Sequence, residues 1–307
     1  CSLQGCSKLA IEARARAEGI AARPWNMAGF RSLWGTLPSS GDAGRVWMQL
    51  SSNTRIASTC PDGSPPLALP QNRKMCRTTH NQTGCVVWSF GSNEDFTFEE
   101  AVLERDARCI IHTFDPTIAS VRAKEKCSSS LRAAMTVHST GLAHFDGLGD
   151  VPHPQSKPTK LFAMQTLPTL MGQLGHRHVH MLKIDTSGEL EVLHALNASG
   201  ASLRVFDQVL VEIHLYHPTP HGERQRCCYG MEDVAIVFGI METHGFAVMS
   251  LQPSSGHRFQ QASCCAEVAW VKMPRQEGSM RRSVSRSAGS SRVSDRSRSW
   301  RLWSGRT

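Results

Sequence analysis

The chain has 307 residues, of which 40% are hydrophobic and 20% are charged. This composition excludes a peptide hormone and a fully disordered chain, and it allows one substantial core or two small ones. The formal net charge of +8 is confined to one end, because residues 275–307 hold nine arginines against Glu277 and Asp295, a net charge of +7 that leaves +1 for residues 1–274. The folded part therefore lacks the basic surface expected of a nucleic-acid-binding domain.

Residues 1–80 are predicted to form a loosely structured lead-in, because they are rich in Gly, Ser, Pro and Asn and show no sustained hydrophobic period. Cys60, Cys76 and Cys85 flank its last part, where disulfides would tie down a poorly packed segment. No segment approaches the ~18 apolar residues that a membrane span needs. No signal-peptide pattern opens the chain, so we expect the lumen of the secretory pathway if a targeting segment is missing and the cytoplasm otherwise.

Residues 81–273 are predicted to form one α/β domain, because short apolar runs alternate there with helical stretches. The predicted strands are residues 85–90, 109–114, 135–138, 179–184, 208–214, 246–251 and 266–271, and the predicted helices are residues 98–105, 167–174, 189–196 and 231–244. This alternation indicates a mostly parallel sheet of about seven strands with helices on both faces. The last two strands lie close together in the chain, which predicts an antiparallel hairpin at the sheet edge. Residues 274–307 are Ser/Arg-rich and are predicted to form a disordered tail.

Two positions at the ends of the first and second strands are candidates for ligand binding. In an open α/β sheet, ligands bind at the carboxyl ends of the strands, near the point where the strand order reverses. Gly91 follows the first strand, and Asp115 follows the second, where a carboxylate can accept hydrogen bonds from ribose hydroxyls. The alternatives are a turn with Gly91 at positive φ and an N-cap at Asp115 with Pro116 at the first helical position.

Asp185, Glu212 and His214 are the candidate catalytic residues. Asp185 ends the fourth strand beside a tight turn, and strand alternation places Glu212 and His214 on one face of the fifth. A carboxylate and an imidazole are costly to bury unless they are paired. They would provide a general base or, alternatively, a structural hydrogen bond.

A set of histidines raises the question of a metal site. His176, His178 and His180 alternate along the chain, with His217 and His221 further on, and imidazole is a common metal ligand. No carboxylate or thiolate completes this set in sequence, and no CxxC pair of the zinc-ribbon type is present. We therefore expect no metal site.

Several motifs occur together and in a consistent order. They are residues 85–100 (CVVWSFGSNEDFTFEE), 114–116 (FDP), 141–142 (GL), 164–176 (MQTLPTLMGQLGH), 182–193 (LKIDTSGELEVL), 211–214 (VEIH) and 264–272 (CCAEVAWVK). This set resembles the methyltransferase-like protein 24 group, a eukaryotic branch of class I S-adenosylmethionine-dependent methyltransferases related to the FkbM type. The resemblance covers about residues 80–273 and implies a Rossmann-like methyltransferase sheet.

The resemblance also implies roles for individual residues. The implied cofactor-binding residues are Ser89, Phe90, Gly91, Asp115, Gly141, Leu142 and Asp185. Gly91 and its two preceding neighbours would line the methionine end of the cofactor, Asp115 would hold the ribose, and Asp185 would lie beside the transferred methyl group. FkbM-type relatives methylate oxygen, so the implied acceptor is a hydroxyl on a small molecule or glycan.

One motif departs from the family pattern. The family usually has Asp-x-Glu-Gly followed by Ala-Glu-Trp, whereas here Ser187 replaces the first Glu, one residue before Glu189 is missing, and Leu190 replaces Trp. This altered Asp-Thr-Ser-Gly turn motivates an alternative function, a catalytically inactive methyltransferase-like binding module. A third hypothesis is an RNA-associated factor that acts through the Arg/Ser tail, although the tail has few aromatic residues for base stacking.

Overall fold

The structure is a computed structural model of the chain. It describes residues 54–77, 84–118, 126–150, 161–186, 188–199, 203–214, 216–218, 224–226, 231–253 and 265–274. Several sequence-based predictions concern residues outside these ranges, namely residues 1–53 of the lead-in, the tail from residue 275, Ser187 and His221. The domain boundaries at residues 80 and 273 stay predictions.

The described residues form fourteen strands. These are β1 (Leu67–Ala68), β2 (Lys74–Met75), β3 (Cys85–Phe90), β4 (Cys109–Phe114), β5 (Met135–His138), β6 (Gly141–Leu142), β7 (Gly147–Asp150), β8 (Leu161–Gln165), β9 (Val179–Ile184), β10 (Phe206–His214), β11 (Tyr216–Pro218), β12 (Arg224–Arg226), β13 (Phe246–Pro253) and β14 (Cys265–Lys272). All seven predicted strands are present, each within two residues of its predicted ends.

Those seven strands make one sheet in the order β13-β14-β10-β9-β3-β4-β5. The five adjacent strands β10, β9, β3, β4 and β5 are parallel to one another. Strand β14 runs antiparallel to both β10 and β13, which confirms the predicted hairpin at the sheet edge. The chain builds outward from β3 to β5 on one side and from β9 to β10 on the other, so the strand order reverses between β3 and β9.

The remaining strands form three small sheets. Strands β6, β8 and β7 make a three-stranded sheet, β1 pairs with β2, and β11 pairs with β12. Gly141 in β6 lies against Pro116, because a Cβ built on this glycine would be 3.1 Å from the Pro116 Cγ atom. The three-stranded sheet therefore reaches the turn that follows β4.

Five described α-helices accompany the sheet. They are α1 (Thr97–Arg105), α2 (Ser129–Ala134), α3 (Leu167–Leu174), α4 (Glu189–Ala198) and α5 (Met231–Thr243). Capping residues determine both ends of helix α3. The Thr169 backbone N–H donates to the Thr166 hydroxyl at its start, and Gly175 ends it with a left-handed φ of 69°, which glycine adopts without steric cost.

Alternation along the strands builds a core on each face of the sheet. One cluster contains Trp88, Leu182 and Val209. The neighbouring residues Val87 and Met181 belong to the other cluster. Because both faces are buried, the central strands are nearly continuous apolar runs, as parallel sheets require.

Residues 54–77 pack against the sheet, although they lie within the predicted lead-in. A disulfide joins Cys60 to Cys76. The side-chain amide of Gln208 in β10 accepts a hydrogen bond from the Cys76 backbone N–H at 2.6 Å and donates one to the Cys76 carbonyl at 2.8 Å. The Ala57 N–H also donates to the carbonyl of Val248 in β13. This segment is therefore attached to two strands of the sheet.

A second disulfide joins Cys85 to Cys109, the first residues of β3 and β4. Cys265 is also disulfide-bonded. No helix among the described residues is long and apolar enough to cross a bilayer.

Candidate active site

The strand-order reversal brings Gly91 against Asp185. The Asp185 N–H donates to the Phe90 carbonyl, and the Gly91 N–H donates to the Phe114 carbonyl. Gly91 has a φ of 77°, and a Cβ built on it would lie 1.9 Å from the Asp185 carbonyl oxygen. Any side chain at this position would collide with backbone, so glycine is the residue that lets the turn after β3 cross the end of β9.

Asp115 holds this turn from the neighbouring strand. One carboxylate oxygen accepts the Asn93 N–H at 2.8 Å. The other accepts both the N–H and the hydroxyl of Thr117, at 2.9 and 2.6 Å. The contact with Thr117 closes a local turn, and residues 116–117 are in that turn rather than in the first turn of a helix as the N-cap alternative requires. The contact with Asn93 ties Asp115 to the turn after Gly91. Asp115 is only 4% exposed, and these contacts use three of the about four acceptor positions of a carboxylate.

The other predicted cofactor residues differ in their position relative to this edge. Gly141 lies beside Pro116, next to Asp115. The side chains of Ser89, Phe90 and Leu142 are buried inside the domain, and the Phe90 ring stacks on Phe114 at 4.4 Å between centroids. These three side chains are therefore part of the buried interior. Their cofactor-binding roles stay predictions.

Asp185 is the partly exposed member of a buried charge cluster. Its Oδ2 atom lies 3.0 Å from Arg73 Nη2 and 3.1 Å from Lys183 Nζ. The Asp185 side chain is 22% exposed, whereas those of Arg73 and Lys183 are 4% and 5% exposed. Lys183 Nζ also donates to the Gly91 carbonyl at 2.8 Å, so the same lysine supports both the carboxylate and the glycine turn.

The cluster sets different protonation states on the three candidate catalytic residues. Burial works against the ionisation of Asp185, but the charge of Lys183, reinforced by Arg73, holds its pKa below the usual range. Burial and the negative charge of Asp185 raise the pKa of Glu212 to about 8. At neutral pH, Asp185 is therefore ionised and Glu212 carries a proton.

His214 is bound by a carboxylate from α4. The fully buried Glu189 accepts a hydrogen bond from the His214 N–H at 2.7 Å, and its Oε1 atom lies 3.6 Å from the imidazole Nδ1. Burial alone would lower the pKa of His214, but Glu189 raises it to about 9. A protonated imidazole has no lone pair for accepting a proton, so the raised pKa favours the cationic form of His214 at neutral pH, and its catalytic role stays a prediction.

Arg73, Lys183 and Glu267 belong to this cluster and were not among the candidates from sequence. Lys183 and Glu267 interrupt apolar strands, and a charged residue in such a run indicates a buried partner. Arg73 gives no such signal because it lies in a short polar stretch between Cys60 and Cys76. Only the folded chain brings it to the sheet.

His176, His178 and His180 each make a hydrogen bond to a different partner. His176 accepts from Trp88 Nε1 at 3.1 Å, and His178 Nε2 lies 3.0 Å from Asp207 Oδ1. His180 and Asp207 lie close enough to His178 for the three to form a potential metal-ligand set. The Val86 N–H donates to His180 Nδ1, which leaves the ring proton of a neutral imidazole on Nε2. That nitrogen then has no lone pair for a metal.

Sequence comparison identifies the family. The sequence profile of a family described as "Methyltransferase domain" matches residues 53–272, which include every strand of the main sheet and the charge cluster. The chain belongs to this family of methyltransferase domains. The match begins just before residues 54–77, the segment that carries Arg73.

Solved structures similar to this methyltransferase domain are distant. TnmH has a TM-score of 0.32 and 12% identity, with 62% of this chain and 50% of TnmH covered. A precorrin-6y C5,15-methyltransferase from Geobacter metallireducens GS-15 has a TM-score of 0.35 and 9% identity, with 63% of this chain and 82% of that protein covered. An O-methyltransferase family 2 protein from Planctomyces limnophilus DSM 3776, in complex with apigenin, has a TM-score of 0.34 and 11% identity, with 75% and 62% covered.

These likenesses are too distant to carry an argument about activity. The chain spans half the length of TnmH. No curated protein sequence matches the chain.

Proposed function

We propose that this protein is an S-adenosylmethionine-dependent methyltransferase that methylates a hydroxyl oxygen on a small molecule or glycan. The observation that carries the proposal is the packing of the Gly91 turn against Asp185 at the strand-order reversal, with Asp115 bound to that turn. Open α/β sheets bind nucleoside ligands at this point. Membership in the methyltransferase-domain family supports the reaction class. The closer kinship with the methyltransferase-like protein 24 group is part of the proposal and rests on the motif order.

The residues at this edge fit the cofactor chemically. Asp115 retains an acceptor position suited to a ribose hydroxyl. Asp185 is an ionised, partly exposed carboxylate whose charge is balanced by Arg73 and Lys183, so it offers hydrogen-bond acceptor positions at this edge. When bound, S-adenosylmethionine supplies an electrophilic methyl group. The chain's own task is to align the acceptor and to manage the proton that the acceptor loses.

Asp185 is the residue best placed to orient the acceptor. It is the most exposed carboxylate of the cluster, with 22% of its side chain exposed, and it can accept a hydrogen bond from a hydroxyl. Glu212 is protonated below about pH 8 and becomes available as a base only above that pH. We propose that Asp185 orients the hydroxyl, and that the proton released on methyl transfer passes to Glu212 above about pH 8, where Glu212 is ionised, and to solvent below that pH.

The altered Asp-Thr-Ser-Gly turn retains the groups on which this chemistry depends. Asp185 keeps its two cations, Gly188 adopts a φ of 96° at the start of α4, and Glu189 binds His214. These contacts support an enzyme more strongly than they support the inactive binding module. Ser187 itself lies outside the described residues.

Calorimetric titration with S-adenosylmethionine tests cofactor binding, with Asp115→Ala as the diagnostic variant. We expect saturable binding by the wild type and a loss of about 100-fold in affinity for the variant, because the ribose loses its charged acceptor. Asp106→Ala is a matched control, since Asp106 Oδ1 accepts the backbone N–H of Arg108, two residues further on, as Asp115 Oδ1 does from Thr117, but Asp106 precedes β4 whereas Asp115 follows it. An absence of binding by the wild type, or equal losses in both variants, would contradict the proposal.

Incubation of the protein with labelled S-adenosylmethionine and a cell extract tests the reaction and the acceptor class. We expect label in a small-molecule or glycan fraction, attached through an ether that survives mild base. Saturable cofactor binding with no transferred label would instead support the binding module. Label in a base-labile ester would place the acceptor among carboxylic acids and overturn the hydroxyl assignment.

A further inference from the structure

Arg73 reaches the candidate active site from a segment that does not belong to the main sheet. It follows a short 3-10 helix, Pro70–Asn72, and its side chain is almost fully buried. Its guanidinium makes two hydrogen bonds to Glu267, at 2.8 and 2.6 Å, and one to Asp185 at 3.0 Å. One side chain thus bridges the edge of the site and the interior of β14.

The three carboxyl groups around Arg73 come from three adjacent strands. Asp185 follows β9, while Glu212 in β10 and Glu267 in β14 are directly opposite each other in the antiparallel register. Two carboxyl groups at opposite positions would destabilise the sheet if both were ionised, and a buried carboxylate requires a partner. Arg73 contacts all three, with its Nη2 atom 3.9 Å from Glu212. Its guanidinium therefore determines how these carboxyl groups are arranged.

We propose that Arg73 is a positioning residue for Asp185, held at the site by the loop that the Cys60–Cys76 disulfide closes. The proposal rests on the proposed function, because Asp185 is the residue assigned there to orient the acceptor. It adds a dependence on the oxidised state of these two cysteines. The site is complete only when the disulfide holds residues 61–75 in place.

The anchoring of the loop is specific to the position of Arg73. Cys76, three residues further on, forms the disulfide with Cys60 and exchanges two hydrogen bonds with the buried Gln208 side chain. On the other side, the Leu69 N–H donates to the Arg73 carbonyl. The backbone of Arg73 is thus fixed within a few residues in both directions, which allows the side chain to hold Asp185 in one orientation.

Arginine is required at this position because of its shape as well as its charge. The guanidinium presents a planar fork of donors that can bind two carboxylates at once, whereas lysine is a single point charge. Arg73→Lys should therefore keep a cation in the cluster but lose either the Glu267 contact or the Asp185 contact. Arg73→Met removes the charge while keeping a long side chain.

Carboxyl-carbon NMR titration of the full chain tests the positioning role directly. We expect the ionisation midpoint of Asp185 to rise by about one pH unit or more in Arg73→Met, since an opposite charge within hydrogen-bond distance lowers a carboxyl pKa by about that amount, and by less in Arg73→Lys. Arg108→Met is the matched control, because Arg108 makes a comparable fork-shaped pair with Asp106 away from this cluster. An Asp185 midpoint that stays unchanged in both Arg73 variants, or rises equally in Arg108→Met, overturns the proposal.

A pair of disulfide variants tests the role of the loop. In Cys60→Ala/Cys76→Ala we expect the Asp185 midpoint to rise in the same direction as in Arg73→Met, with no additional rise when the two changes are combined. Cys85→Ala/Cys109→Ala removes the other described disulfide, which joins the starts of β3 and β4, and should leave the midpoint unchanged. Equal effects of the two pairs would overturn the role of the loop.

Kinetics connect the positioning role to catalysis. We expect Arg73→Lys to lower kcat by up to about 100-fold, because small displacements of an orienting group are costly. The KM for S-adenosylmethionine should change little, since Asp115 binds the ribose. A wild type that transfers no methyl group would reject the proposed function, whereas the NMR titration would still decide the role of Arg73.

Discussion

Glu212 is a carboxyl group that stays protonated at neutral pH. Burial and the adjacent charge of Asp185 raise its pKa to about 8, while Asp185 itself is held ionised by Lys183 and Arg73. Two carboxyl groups in one cluster thus differ in charge because the cations lie closer to one of them. The sequence identified both residues, but it could not assign their protonation states, which depend on neighbours that are distant in the chain.

The raised pKa of Glu212 predicts a pH-dependent effect on stability. Its folded pKa of about 8 exceeds the ordinary value of 4.5, so the stability associated with its protonated form is fully present below about pH 4.5 and is lost as the pH rises towards 8. Glu212→Gln keeps a neutral hydrogen-bonding side chain and avoids that loss. We expect the variant to be more stable than the wild type at pH 7 by on the order of 1 kcal/mol, or about 2–4 °C in Tm.

Thermal melts of both proteins between pH 4 and pH 8 measure this effect, and the difference in Tm should vanish near pH 4. A Glu212→Gln variant that is less stable than the wild type at pH 7 would show that Glu212 is ionised in the folded protein. Methyl-transfer rates provide a second measurement. The wild-type rate should rise as the pH passes about 8, where Glu212 becomes a base, and the variant should lack this rise.

At the scale of elements, the site depends on connections between strands and helices. The turn between β3 and α1 crosses the end of β9 at Gly91, and Asp115 in the next βα connection binds the same turn through Asn93. Asn93 adopts a positive φ of 47°, a conformation that asparagine tolerates better than most residues. The strands bring these turns together, and the turns provide the binding groups.

Gly91→Ala should therefore be far more damaging than the same change at an unconstrained turn. Its Cβ would lie 1.9 Å from the Asp185 carbonyl oxygen, in addition to the strain of a φ of 77°. Gly63→Ala is the matched control, because Gly63 has a similar φ of 82° but nothing within 4 Å of its Cβ position. We expect a loss of about 1 kcal/mol for the control, from strain alone, and a loss above about 4 kcal/mol for Gly91→Ala.

Urea denaturation of both variants measures these losses, and calorimetry shows whether Gly91→Ala still binds S-adenosylmethionine. Equal losses of stability in the two variants would mean that the turn can move away from Asp185. The close approach at the strand-order reversal would then not be a fixed feature of the site.

At the scale of the whole molecule, most of the net charge lies outside the residues that match the methyltransferase family. Residues 275–307 carry +7 of the formal net charge of +8, while the matched methyltransferase domain lies within residues 53–272. The charged groups of the candidate site neutralise one another, with Arg73 and Lys183 facing Asp185 and Glu267. The net charge of the chain is therefore no guide to the substrate of the domain.

Deleting residues 275–307 should leave S-adenosylmethionine affinity unchanged. If the full chain binds single-stranded RNA, its affinity should fall steeply with salt and should be lost on deletion. Fluorescence anisotropy with an RNA oligonucleotide, at about 50 and 200 mM salt, measures the RNA affinity and its salt dependence. Calorimetric titration measures the S-adenosylmethionine affinity. If RNA binding survives the deletion, residues 275–307 do not carry it, and the nucleic-acid-binding surface lies elsewhere in the chain.

Much of the fold could be predicted because its signals are local. The apolar runs marked all seven strands, and the hairpin of β13 and β14 followed from their close spacing. The position of Gly91, Asp115 and Asp185 at one edge of the sheet could be predicted because all three follow strands, and the ends of parallel strands meet at one edge; their roles stay predictions. The sequence motif did not indicate that the Ser89 and Phe90 side chains are fully buried inside the domain.

The sequence by itself determined the order of the βα units and the residues at the carboxyl edge of the sheet, because hydrophobic alternation and turn residues are local patterns. It also determined the family of methyltransferase domains, through the profile match. Only the tertiary structure decided which groups share a proton or a cation. Arg73 and Glu267 are 194 residues apart in the chain, yet their contact stabilises the site around Asp185. Burial and charge act through space, so the protonation of Glu212 and His214 depends on partners that no local pattern identifies.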